Sequence, residues 1–112
     1  MKAFHYIFSH RRKASPFKEW LGVPHFEDVP FVFGTHLQLN NTYAPKDVQF
    51  SNDIIDTWTS FAKDGEPTFG LLGKKWPPYS KEKPVAVDLN PDNVNIINPY
   101  KEECQFWRQY FG

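Results

Sequence analysis

The apolar positions of this chain follow two patterns, and each predicts a different element. Residues 3–8 (Ala-Phe-His-Tyr-Ile-Phe) are nearly continuously apolar without clean alternation. That suits a strand covered on both faces, as in the middle of a mostly parallel sheet. Ile54, Ile55, Trp58, Phe61 and Ala62 instead recur at helical spacing and mark one buried face. This helix is predicted over 51–63, capped by Ser51 and stopped by Gly65. Tyr100, Cys104, Trp107 and Phe111 share the face of another, over 100–111, with Glu102 and Glu103 favouring its first turn.

Weaker signals fill the intervals. Residues 85–89 and 94–97 are β-prone runs joined by Asn90-Pro91-Asp92-Asn93, a hairpin turn. Residues 9–24 read as a loop broken by Pro16, Gly22 and Pro24. Asp28 is placed to cap a short helix over 28–33, with Pro30 in its first turn and Gly34 at its end. The expected content is α/β: one core strand, a late hairpin and about three helices.

Composition bears on what such a chain is part of. Its 11 Phe, 5 Tyr and 4 Trp in 112 residues supply more bulky apolar surface than a small domain needs, as expected of a segment cut from a larger core. A stable short domain with its own binding role is the competing account. The 3–8 strand argues against it, because its sheet neighbours are mostly missing and unpaired edges invite aggregation. Formal net charge is zero, which gives no electrostatic case for nucleic acid or an acidic membrane. The basic run Arg11-Arg12-Lys13 reads as a solvated turn.

Cys104 is the only cysteine, so neither an internal disulfide nor a cysteine-based metal site is expected. His5, His10 and His36 have no metal-ligand spacing; His5 reads as strand-embedded and the other two as loop residues. No cofactor is implied. The first residues do not read as a signal peptide, and no run has the length of a membrane span. Asn40-Asn41-Thr42 is a glycosylation sequon.

The remaining histidine is the candidate for chemistry. His25 lies in Gly22-Val23-Pro24-His25-Phe26-Glu27-Asp28, between a turn and two acidic residues. Imidazole titrates near neutrality, and a loop can aim it without distorting a sheet. The residues alone favour a histidine without chemistry. Glu27 and Asp28 could be taken for paired carboxylates, but adjacent side chains at a helix start diverge, so Asp28 reads as a cap.

The blocks around His25 change that balance. Tyr6-Ile7-Phe8-Ser9-His10-Arg11, Trp20-Leu21-Gly22-Val23-Pro24-His25 with Pro30-Phe31-Val32-Phe33-Gly34, and Trp58-Thr59-Ser60-Phe61-Ala62-Lys63-Asp64-Gly65-Glu66-Pro67 come in order. Trp76-Pro77 with Tyr79, Val87-Asp88-Leu89-Asn90, and Cys104-Gln105-Phe106-Trp107 follow. Together they resemble the C-terminal portion of the type-B carboxylesterase/cholinesterase family, serine esterases of α/β-hydrolase fold. On this resemblance residues 1–112 form an incomplete carboxylesterase domain.

The resemblance implies that His25 is the general base of a Ser-His-acid triad, acting on a carboxylic ester in the full-length protein. It implies secretion, no metal, and a possible homo-oligomer through the C-terminal helix. The family's G-x-S-x-G nucleophile elbow has no match here, nor do its acidic triad member and oxyanion loop. The chain alone is therefore expected to be inactive. A non-catalytic, neuroligin-like adhesion protein of the same fold is the alternative. The family usually has glycine or another small residue where this chain has Phe26, whose ring either packs into the gorge or reorients the loop. Glu27 matches the acidic residue of general carboxylesterases where many cholinesterases have tyrosine. The family's cysteine of C-x-F-W pairs with one upstream of the histidine loop, which leaves Cys104 a buried free thiol here.

Overall fold

The computed structural model describes residues 1–35 and 43–111; His36 and the sequon at Asn40 lie outside the described residues. Strand β1 (Tyr6–Phe8) is followed by the short helix α1 (Val29–Val32) and the long helix α2 (Pro45–Asp64). Strands β2 (Ala86–Leu89) and β3 (Asn95–Ile97) then precede helix α3 (Lys101–Phe111). The mixed α/β content agrees with the predicted class and with a C-terminal part of an α/β-hydrolase.

The sheet has order β1-β2-β3. β1 pairs parallel to β2 with Tyr6 opposite Val87, and the predicted hairpin pairs β2 antiparallel to β3. The turn is reinforced where Ser9 Oγ donates to Asp88 and Asn90 Nδ2 donates to Ser9 Oγ at 3.3 Å. β1 is shorter than its apolar run and only half-buried. Among the described residues no strand pairs its outer edge, so it lacks the central position its composition anticipates.

Pleating sends alternate residues to opposite faces. Tyr6 meets Trp58 of α2 with ring centroids 5.0 Å apart, and Phe8 meets Phe50 at 5.8 Å. Phe31, Phe50, Ile54, Phe69, Trp76, Val87 and Leu89 complete this core. His5 and Ile7, on the other side of the pleat, line a groove of about 390 Å³ with Tyr100 and with Cys104 and Arg108 of α3.

One helix boundary differs clearly from expectation. α2 begins at Pro45, whose missing N–H costs nothing at the first helical position, and not at Ser51. Ser51 is fully buried, and its Oγ donates to the Phe31 carbonyl at 2.6 Å, fastening α2 to α1. The buried stripe is Asp47, Phe50, Ser51, Ile54 and Thr57, while Phe61 and Ala62 are exposed. Gly65 does stop the helix, taking the left-handed φ of 73° while its N–H bonds the Phe61 carbonyl.

Asp28 is not a cap. Its backbone is already helical and its carboxylate makes no capping bond. That carboxylate accepts instead from the Tyr6 hydroxyl at 3.1 Å, which gives a half-buried phenol its acceptor. α3 buries none of its residues. Trp107 is therefore exposed and not a packing residue of this chain, and Cys104 is an exposed thiol. Their apolar face meets no core among the described residues; Phe106, Trp107, Tyr110 and Phe111 pack only on one another.

The histidine loop as candidate active site

Residues 9–28 carry the chain from the end of β1 to α1. A 3-10 turn at Glu19–Leu21 ends at Gly22, whose φ of 63° reverses the chain. Pro24 then presents His25, which is exposed. Among the described residues its imidazole has no hydrogen-bond or ionic partner, and its one ring contact is Phe26, at 6.2 Å and 63°. Neither ring nitrogen is therefore engaged by the described residues, which leaves one for an orienting acid and one for a hydroxyl.

Phe26 adopts a backbone conformation that suits glycine better than a bulky residue. Its φ is 80°, in the left-handed region where a side chain crowds the following carbonyl. The cost is about 1–2 kcal/mol, which glycine would not incur. The loop turns as a glycine would allow, and Phe26 accommodates it with its ring 63% exposed.

The flanking acids are engaged separately. Glu27 Oε2 lies 3.8 Å from Arg12 Nε, with both side chains largely withdrawn from water. Asp28 holds Tyr6, whose hydroxyl is shifted above its ordinary value first by burial and then by the charge of Asp28. Glu27 and Asp28 therefore do not form a paired-carboxylate site. Arg11 and Arg12 are not a solvated turn either. Arg11 donates through Nη1 to the Gly22 carbonyl at 3.0 Å and through Nη2 to the Phe17 carbonyl, and Arg12 lies over the Tyr43 ring.

His10 lies in the loop after β1, as expected, but is not solvated. It is buried, its Nε2 is 2.5 Å from Asp47 Oδ1, and its ring packs against Phe31 and Phe50. The pair has the form of a base and its orienting acid. It is walled by aromatic rings, the Ser51 hydroxyl is committed to the Phe31 carbonyl, and among the described residues no hydroxyl or thiol bonds the imidazole. The missed signal was Pro45 as a helix start, which sets Asp47 in the first turn at i−3 from Phe50. His5 is exposed, outside β1 proper, and edge-on to Tyr79. Among the described residues no group of three or more His, Cys, Asp or Glu could hold a metal ion. No described helix is long and apolar enough to cross a membrane.

The mixed sheet and its helices are consistent with a C-terminal part of an α/β-hydrolase, and residues 1–107 match the carboxylesterase family. The chain belongs to that family. It is 37% identical over 112 residues to the cholinesterase of Mus musculus and 33% over 110 residues to the acetylcholinesterase of Gallus gallus. It is also 34% identical over 113 residues to acetylcholinesterase 4 of Caenorhabditis briggsae. These alignments cover 96–97% of this chain but only 14–19% of those proteins.

Proposed function

We propose that this chain is the C-terminal part of a serine carboxylic-ester hydrolase and that His25 is its general base. The observation that carries the reading is an exposed, uncommitted imidazole on a braced loop within a chain of this family. In the complete protein His25 takes the proton of a serine as it attacks the ester carbonyl, then returns it to the leaving alkoxide. Serine, acid and oxyanion donors come from outside these residues, so the chain alone turns over no ester. The substrate class is a carboxylic ester, and the protein is secreted. The exposed aromatic face of α3 is where a second copy packs.

The test is hydrolysis of a p-nitrophenyl ester by the complete protein. His25→Gln lowers kcat by about 10³-fold or more, the scale expected for loss of a triad member. Turnover by the 112-residue chain that disappears in His25→Ala would contradict its inactivity. An elbow residue other than serine upstream turns the reading to adhesion.

A further inference from the structure

We propose that Arg11 and Arg12 are positioning residues that pin the His25 loop on both sides and hold Phe26 in its left-handed conformation. The role assigned to proton transfer rests on His25 being the general base.

The two arginines lie in the loop shortly after β1 and reach opposite flanks of the histidine. Arg11 spans two carbonyls, Phe17 and Gly22, at the entry to the loop. Only a guanidinium offers donors fixed in a fork that can take both at once. Arg12 reaches Glu27, two residues past His25, at 3.8 Å. The Arg12 and Glu27 side chains are 14% and 13% exposed, so water competes poorly for either charge. Tyr43 closes over the guanidinium with its ring centroid 5.2 Å away. A third tie, from Tyr6 to Asp28, springs from the same strand.

Phe26 supplies the reason for so many ties. A bulky residue at φ 80° persists only where its surroundings over-determine it. The loop's own bonds are long, with Glu27 N to Pro24 O at 3.4 Å and Val29 N to Phe26 O at 3.3 Å. Released from the arginines, the loop relaxes toward negative φ at residue 26, and the adjacent His25 turns with it. A general base displaced by even an ångström loses much of its advantage.

A double-mutant cycle of Arg12→Gln and Phe26→Gly in the complete protein tests this, with Arg11→Gln beside it. Ester turnover and amide hydrogen exchange over residues 22–29 are measured for each variant. Arg12→Gln and Arg11→Gln should each lower kcat about tenfold with KM within about twofold, and speed exchange across the loop but not across α2. With Phe26→Gly already present, the effect of Arg12→Gln should shrink to about threefold or less, because no strained conformation is left to hold. Arg12→Lys, which keeps the charge facing Glu27, should recover most of the loss and serves if Arg12→Gln does not fold. Unchanged kcat and exchange, or equal losses in both Phe26 backgrounds, would overturn the proposal. If exchange follows the cycle but the complete protein turns over no ester, the pinning stands and the hydrolase reading fails.

Discussion

The Tyr6 hydroxyl donates to Asp28 at 3.1 Å and ties the first strand to the helix behind His25. Burial, and then the Asp28 charge, holds the phenol above its ordinary value near 10. A raised folded value means that the neutral phenol stabilises the fold below the unfolded value, and that this is lost as pH rises through the folded one. Urea midpoints of the wild type should therefore fall more steeply above about pH 10 than those of Tyr6→Phe. Near neutral pH, Tyr6→Phe should cost about 1 kcal/mol for the hydrogen bond. Parallel pH curves for the two proteins would show that the bond carries no such linkage.

His10 and Asp47 join β1's end to α2's first turn in a buried contact of 2.5 Å. Removing the acceptor strands an imidazole N–H among Phe31 and Phe50. Asp47→Ala should lower stability by about 2–3 kcal/mol, seen as a lower denaturation midpoint at unchanged slope. Asp47→Asn, which keeps an acceptor, should cost clearly less. Equal losses for the two variants would assign the effect to packing.

Local signals were legible wherever they did not depend on a distant partner. Gly65 stops α2 because left-handed geometry is glycine's own property, and the 90–93 turn closes a hairpin from its residue types alone. Ser51 failed for the opposite reason. Serine favours both a cap and a buried bond to a carbonyl, and only the nearness of Phe31, 20 residues away in sequence, decides between them. Asp28 similarly answers to Tyr6, 22 residues earlier. In the site, the motif singled out His25 as the candidate. The arginines bracing it were not, because a basic run looks the same in sequence whether solvated or withdrawn. Trp107 and Cys104 mark a further limit: helical spacing identifies an apolar face without supplying the surface that covers it.

Phe26 separates conformational strain from contact. Its ring is mostly exposed, so Phe26→Ala removes little packing and leaves a side chain at φ 80°. Phe26→Gly relieves the left-handed strain but gives the unfolded chain more freedom. The balance should leave Phe26→Gly about 0.5–1 kcal/mol more stable than Phe26→Ala in equilibrium unfolding. An alanine variant as stable as the glycine one would mean that residue 26 is not held at positive φ in solution.

Ser51 permits a test in which its two roles predict opposite signs. As a helix cap, Ser51→Asp would be neutral or slightly stabilising, since aspartate caps at least as well as serine. In the observed structure the side chain is fully buried and bonded to the Phe31 carbonyl, beside Phe50 and Ile54 in the core. A carboxylate there would face a carbonyl oxygen and apolar side chains without water. Burying that charge costs several kcal/mol unless it is neutralised by taking up a proton. Ser51→Asp should therefore destabilise by about 3 kcal/mol or more at neutral pH and recover part of the loss toward pH 4, as the aspartate is protonated. Ser51→Ala should cost about 1–2 kcal/mol and show no such recovery. The pH dependence of the difference between the two variants isolates the buried charge from the lost hydrogen bond. It also locates the start of α2, because a terminal aspartate in solvent would lose stability on acidification, whereas a buried one gains it.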